Sequence, residues 1–294
     1  MVAIILVNYN GADDTIDCIR SLSEIKDIEY EIVVVDNCST DESVDKLRQM
    51  QNRFKFTLLQ ANNNTGFSAG NNIGIKYAKS ADYYLLLNND TVVEPDFLVK
   101  LIDGFREDPQ CGATISKILY YSQPDTIWYA GGKLSPRTAR SEHFHFNKKD
   151  QNIDSLPQAV TFASGCCLCL SRETVRRIGL LNENFFLYEE DAEYCCRIIN
   201  AGYNIFYIPN SIIYHKVSSS TGCGSSLSQY YSVRNKYYLI RLQFSGINQL
   251  FAYSYCTVQF LYRCLKKEMR FRYYRMGLMA FLRKESGKVK GEIV

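Results

Sequence analysis

Asn88, Asn89 and Asp90 stand together after the apolar run Tyr84-Leu85-Leu86-Leu87, and their chemistry suits a cation site. A carboxylate such as Asp90 can hold a hard divalent ion, Mg²⁺ or Mn²⁺, against a diphosphate, because such ions take oxygen ligands. An Asn/Asp turn closing a strand accounts for the same residues, so the cluster alone leaves both readings open. Two earlier apolar runs end in the same way: residues 2–7 lead into Asn8-Tyr9-Asn10-Gly11, and residues 31–35 into Asp36-Asn37-Cys38-Ser39. Tyr9 offers an aromatic face and Asp36 a carboxylate to the N–H and O–H donors of a base or ribose. Aspartate is also a common turn former, and that alternative stands beside it.

Later in the chain, Glu189-Glu190-Asp191 follows the aromatic run Phe185-Phe186-Leu187-Tyr188. Adjacent acids are costly to place together unless they face a cation, water or a partner. Tyr194, Cys195 and Ile198 at helical spacing put these acids in a first turn, where the helix dipole explains one or two of them. The remaining one points to a carboxylate on a cleft wall, a ready general base. His215 closes Ile212-Ile213-Tyr214 beside Ser218-Ser219-Ser220-Thr221-Gly222, which is expected to be a mobile loop. A structural histidine and a ligand fit that place equally. Ser164-Gly165 interrupts the strand-like residues 162–170, as happens where backbone approaches another group closely.

The elements that must position these residues alternate. Strands are expected at 2–7, 31–35, 56–59 and 85–87, with helices between them. Ser39 or Thr40 is available to cap the second helix, and Asn64-Thr65-Gly66-Phe67 leads into the third. Such alternation gives βαβ units, a mostly parallel sheet and right-handed crossovers, an α/β fold. The first turn lacks the Gly-x-Gly-x-x-Gly of a dinucleotide site, and no Gly-Lys-Ser/Thr appears anywhere, which excludes a P-loop. From residue 113 the pattern is mixed, with strands at 113–121, 126–134 (bent at Gly131-Gly132), 204–208 (stopped by Pro209) and 212–215. His143 and His145 alternate as on an edge strand. Ser171 caps a helix that Gly179 ends.

At 294 residues the chain can bury a large core, and a net charge of +3 says little by itself. Eleven cysteines without a leader sequence are expected to be reduced thiols in a cytosolic protein. Cys166 and Cys169 lack the second pair that structural zinc requires. Beyond residue 227 the chain reads as helical and basic, with one helix ended by Gly246. Residues 244–262 carry no charge and approach the length of a membrane span, but polar residues interrupt them. The basic and aromatic residues after them suit a helix lying on an anionic membrane surface, or one packed on its own domain. No nucleic-acid motif accompanies the charge.

Taken in order, Val7-Asn8-Tyr9-Asn10, Val35-Asp36-Asn37-Cys38-Ser39, Asn64-Thr65-Gly66-Phe67, Leu87-Asn88-Asn89-Asp90, Ser164-Gly165, Glu190-Asp191 and Arg234-Asn235 resemble family 2 glycosyltransferases of the GT-A fold. Within that family the chain is most similar to rhamnosyltransferase-type enzymes of bacterial polysaccharide assembly. The resemblance implies a Rossmann-like sheet with a nucleotide-binding half at about 1–112 and a mixed acceptor half at about 113–226. A helical extension at 227–294 would follow. It implies inverting transfer of a sugar, rhamnose being one candidate, from a nucleoside diphosphate to a hydroxyl of a glycan or lipid-linked glycan, at the cytoplasmic side of the cell membrane. By that resemblance Asn8, Tyr9, Asp36, Gly66, Phe67, Asn88 and Asn89 line the nucleotide site. Asp90 and His215 hold Mg²⁺ or Mn²⁺, Ser164, Gly165 and Arg234 face the sugars, and Asp191 beside Glu190 is the base. A sugar nucleotidyltransferase, which would carry a Gly-rich, Arg-containing loop after its first strand, and a non-catalytic nucleotide-sugar-binding protein are the alternatives.

Overall fold

A run of five buried apolar residues, Val2 to Leu6, needs apolar cover on both faces and hydrogen-bonded neighbours on both edges. In the computed structural model of the chain it lies in the middle of a ten-stranded sheet. The structure describes residues 1–151, 155–217, 225–289 and 291. The expected loop Ser218-Ser219-Ser220-Thr221-Gly222 lies outside the described residues.

The first half alternates β1 (Val2–Asn8), α1 (Ala12–Leu22), β2 (Tyr30–Asp36), α2 (Ser43–Met50), β3 (Thr57–Gln60), α3 (Gly66–Tyr77) and β4 (Tyr83–Asn88). There follow β5 (Thr91–Val93), α4 (Phe97–Asp103), β6 (Cys111–Tyr120), β7 (Gln123–Tyr129), β8 (Gly132–Leu134), β9 (Ser141–His143), β10 (Gln158–Val160) and β11 (Cys167–Ser171). The described chain closes with α5 (Arg172–Ile178), α6 (Glu190–Asn200), β12 (Asn204–His215), α7 (Ser226–Gln243), α8 (Gly246–Leu265) and α9 (Phe271–Leu282).

The sheet order is β10-β12-β6-β11-β4-β1-β2-β3, with β1 parallel to both β2 and β4. The chain therefore winds outward from β1 through β2 to β3, then crosses back to β4 on the other side. That reversal opens a crevice at the carboxyl ends of β1 and β4, where open α/β sheets bind ligands. On the far side of β4 comes β11, antiparallel, with Cys167 opposite Leu87. Its direction brings residues 164–166 back to the carboxyl end of β4, where Asn88 N–H donates to Cys166 O at 2.9 Å.

Several elements differ from expectation, each for a local reason. Pro209 does not stop a strand: β12 runs through it, and a register shift between Ile208 and Ile212 absorbs the residue that lacks an N–H. Gly246 does not end α7, which stops at Gln243 where Phe244 becomes extended; Gly246 opens α8 instead. Neither Ser39 nor Thr40 caps α2, because Ser39 is taken up by Asp36 and Asn8, and Asp41 accepts from Ser43 N at 3.0 Å. Only His143 belongs to β9. His145 has φ +54°, which breaks the alternation, so the two histidines share no strand face. His143 instead stacks on Phe162 at 5.7 Å and meets Trp128 edge-on.

Ser171 caps α5 as expected, accepting from Thr174 N, and Gly179 ends that helix at φ +80°. The last three helices form a layer in which Tyr237 of α7 stacks on Phe281 of α9 at 5.4 Å. Among the described residues, no helix is long and apolar enough to cross a membrane.

Asn72 of α3 is buried and stitches this helix to the segment before α6. Its Nδ2 donates to Leu181 O and to Glu183 Oε1, both at 2.9 Å, and its Oδ1 accepts from Leu181 N at 3.0 Å. Asn72→Ala leaves two buried backbone groups unpaired and is expected to cost about 2–3 kcal/mol. Denaturant unfolding followed by circular dichroism measures this; a loss below about 0.5 kcal/mol, the range of an ordinary surface substitution, would contradict it.

Candidate active site

The floor of the crevice is a side-chain network joining the ends of three parallel strands. Asp36 Oδ1 accepts from Asn8 Nδ2 at 2.8 Å and from Ser39 Oγ at 2.6 Å, and its Oδ2 accepts from Ser39 N at 2.9 Å. Asn8 Oδ1 in turn accepts from Thr15 Oγ1, which also receives Asn89 Nδ2, each at 2.9 Å. Asp36 thus closes its own turn, and both explanations of it converge on one position. Its carboxylate has room for a further donor, since two oxygens offer about four acceptor sites. Tyr9, by contrast, is 40% exposed at the mouth.

One wall is the loop before α3. Asn37, buried and given no role by its sequence, donates to Gly66 O at 3.1 Å and accepts from Thr65 N at 3.1 Å. Gly66 has φ +86°, and a Cβ there would lie 2.2 Å from Phe186 O, so only glycine fits. Phe67 N donates to the same Phe186 O at 3.0 Å. The nucleotide-side loop and the strap before α6 are therefore in backbone contact.

The opposite wall is the amino end of α6. Asp191 Oδ2 accepts from Gly165 N at 3.1 Å, and its Oδ1 from Ala192 N at 2.7 Å. A Cβ on Gly165 would stand 3.3 Å from the Phe67 ring and 3.5 Å from Asp191 Cβ, so this glycine lets the two walls approach. Because Gly165 adjoins Cys166, whose carbonyl holds Asn88, only two peptide units separate the anchor of Asp191 from the Asn88-Asn89-Asp90 corner.

Three adjacent acids meet three environments. Glu189 pairs with Lys236 Nζ at 2.5 Å, and the same ammonium donates to Ala139 O at 2.8 Å. Glu190 is buried, and its Oε2 has no hydrogen-bond partner among the described residues. Burial first, then the neighbouring Asp191 charge, push the Glu190 carboxyl well above the usual carboxylate range. Asp191 is half-buried, with part of its surface accessible; burial also raises it, but the Gly165 and Ala192 N–H groups work the other way. The pair is unequally supplied with donors: two backbone N–H groups favour the charged form of Asp191, while Glu190 Oε2 has none among the described residues. Tyr188 and Glu189 both have positive φ, +69° and +71°, so the strap is held in a backbone form that L residues rarely adopt. Asn235 Nδ2 fastens it, donating to Leu187 O at 2.7 Å and Tyr188 O at 3.0 Å. Arg234 is wholly buried over Tyr231, at 4.8 Å, and donates from Nε to Asn235 Oδ1 at 2.9 Å, while its two terminal nitrogens have no hydrogen-bond partner among the described residues.

At the far corner, β12 pairs with β5 so that His215 lies opposite Thr91. His215 Nε2 and the buried Asp90 Oδ1 are 3.1 Å apart, and the His215 ring meets Trp128 edge-on at 4.7 Å. Among the described residues no group of three or more His, Cys, Asp or Glu side chains forms a ready metal cage. The Asp90 carboxylate fits a hard ion that takes most of its ligands from a diphosphate and water, as Mg²⁺ does, whereas the His215 imidazole is a ligand better suited to softer ions. Thr15, Asn72, Lys236 and Trp128 support the site without any local motif marking them, whereas Asn37 and Asn235 stand in two of the quoted motifs with no role read for them there.

Comparison with known proteins bears on the family and the fold. The model of the family described as Glycosyl transferase family 2 matches residues 3–179, ending before Asp191 and His215. Agl10, a low-salt glycan biosynthesis hexosyltransferase of Haloferax volcanii, is 28% identical over 278 residues, which is 88% of this chain and 79% of that protein. The dTDP-rhamnosyl transferase RfbF of Shigella flexneri is 26% identical over 247 residues, covering 81% of this chain and 79% of its own. Two solved structures share the fold. The mannosyltransferase PcManGT from Pyrobaculum calidifontis, in complex with GDP-Man and Mn²⁺, has a TM-score of 0.63 at 14% identity, covering 97% of this chain and 88% of that one. GalNAc-T7 with UDP, GalNAc and Mn²⁺ has a TM-score of 0.64 at 16% identity, covering 97% of this chain but only 58% of its own. The architecture is the GT-A fold.

The buried Glu190 gives a stability test. Its carboxyl is raised in the folded chain, so stability is lost as pH climbs from the unfolded carboxyl range towards the folded value. Glu190→Gln removes that titration. The melting temperature of the variant relative to the parent is expected to rise between pH 4 and pH 8, and a difference that stays flat across that range would show that Glu190 is not held neutral.

Proposed function

Because the chain belongs to glycosyl transferase family 2, we propose that it carries out a single, inverting displacement at the anomeric carbon of a nucleoside-diphosphate sugar. Its relatives work in bacterial and archaeal glycan and polysaccharide synthesis, and it is a glycosyltransferase. The acceptor is a hydroxyl of a glycan or lipid-linked glycan. Rhamnose is the leading candidate sugar, on the likeness to RfbF.

In this reading the nucleobase stacks on Tyr9 and donates to Asp36, while Gly66, Phe67, Asn88 and Asn89 line the nucleotide. Asp191 takes the acceptor proton as the new C–O bond forms on the face opposite the departing diphosphate. Burial raises the Asp191 carboxyl, which makes it a stronger base than an exposed aspartate, and the Gly165 and Ala192 N–H groups fix its orientation. Asp90 and His215 would hold Mg²⁺ or Mn²⁺, an ion that neutralises charge on the leaving diphosphate when bound. Ser164 and Gly165 border the sugars. Arg234 acts at one remove, by fixing Asn235 and through it the strap of residues 187–189. The observation that carries this reading is the seat of Asp191, on two backbone N–H groups and two peptide units from the Asn88 corner.

Asp191→Asn is expected to lower kcat about 10³-fold while leaving donor affinity within about threefold, because only proton removal is lost. Calorimetric donor titration beside initial rates separates the two; lost donor binding with normal turnover would give Asp191 another role. Asp90→Ala is expected to raise the Mn²⁺ concentration at half-maximal rate at least about tenfold, the loss expected for one carboxylate ligand. An unchanged metal titration would remove Asp90 from the ion's ligands.

A further inference from the structure

Helix α8 carries apolar residues on two opposite faces. One face, with Ala252, Cys256 and Phe260, is buried against α7 and its neighbours. At 3.6 residues per turn, Ile247, Leu250, Phe251, Val258, Leu261 and Leu265 fall within a single stripe on the opposite side. All six are exposed: Ile247 and Leu265 at 82%, and Leu250 and Val258 at 67%. The stripe runs about 27 Å, the whole length of the helix. Six large apolar side chains in one line are more than a monomer leaves to water without a partner.

The surroundings say which partner. Lys266, Lys267, Arg270, Arg272 and Arg275 follow the carboxyl end of α8, all of them exposed. The single acid among them, Glu268, faces Arg263 at 3.9 Å. Phe271, Arg272, Arg275 and Met276 line an open cleft there, mixing apolar and cationic groups. Tyr262, on the stripe's edge, lies under the Lys266 ammonium at 5.7 Å. An apolar face edged by aromatic rings and ended by cations with long alkyl stems matches the boundary between acyl chains and anionic headgroups.

We infer that α8 lies flat on an anionic lipid surface, its stripe entering the acyl boundary and the 266–275 cations meeting the headgroups. This deepens the proposed function by giving a lipid-linked acceptor a place to be presented, and rests on that reading for its purpose. Cys256 Sγ donates to Thr138 O at 3.4 Å, and the adjacent Ala139 carbonyl receives Lys236, the partner of Glu189. The buried face of α8, opposite the stripe, thus touches the segment whose next residue helps anchor the strap before Asp191.

The full chain is tested by co-sedimentation with vesicles of phosphatidylglycerol and phosphatidylcholine, or of phosphatidylcholine alone. Binding to the anionic vesicles is expected to be at least about tenfold stronger and to weaken in high salt. The double variant Leu250→Glu, Val258→Glu is expected to lose about tenfold or more of that binding, with unchanged melting temperature and unchanged slow hydrolysis of soluble donor. Wild-type chain that binds neither vesicle, or both equally, overturns the inference. So does a stripe-dependent dimer in solution without vesicle binding, which would assign the face to a second copy. Donor hydrolysis reports the transferase reading independently, so the two fail separately.

Discussion

Two backbone groups on adjacent residues, the N–H of Gly165 and the C=O of Cys166, join the two sides of the candidate site. The first holds Asp191 and the second holds Asn88. Neither contact would exist if β11 ran the other way, because its entry from residues 164–166 would then fall at the opposite edge of the sheet. The antiparallel insertion of β11 between β4 and β6 is therefore the constraint on which the cleft depends. Gly165 is required for the same reason: a side chain there would press on Phe67 and Asp191 together.

Electrostatics within the cleft follow from unequal access to donors. Glu189, Glu190 and Asp191 are covalent neighbours, yet one is ion-paired, one is buried with its carboxyl pushed up by that burial, and one rests on backbone N–H groups. A buried carboxyl with one oxygen left without a donor costs stability at neutral pH, and such local costs are typical of functional walls rather than of scaffolding. The left-handed pair Tyr188 and Glu189 adds to that cost, and Asn235 with Lys236 offsets it from α7. The helices beyond residue 226 thus take part in the site as well as covering it. Their first member braces the strap, and the second presents to the outside an apolar face that the fold itself does not use.

Much of the fold was legible in the sequence. The continuous apolar runs that became β1, β2 and β4 read as buried strands, and their polar endings lie together at one edge of the sheet. Ser171 and Gly179 bracketed α5 because capping is a local matter of one side chain and one backbone angle. Where expectation failed, a tertiary partner had overruled a local signal. Pro209 was carried through as a bulge because β6 continued beside it, and Ser39 served Asp36 instead of capping α2. His143 and His145 looked like an alternating pair until a single positive φ separated them.

By itself the sequence determined which residue types were available for chemistry and which strands would end beside them, since hydrophobic patterning and turn chemistry act over a few residues. It could not determine that Asp191 would receive two backbone N–H donors while the neighbouring Glu190 kept one buried oxygen without any, nor that Arg234 would be buried behind Asn235. It also could not say that α8 would spend one apolar face on α7 and keep the other exposed. Those outcomes were decided by the tertiary structure, because desolvation and donor supply depend on atoms brought together from far along the chain, such as Gly165 at Asp191 and Lys236 at Glu189.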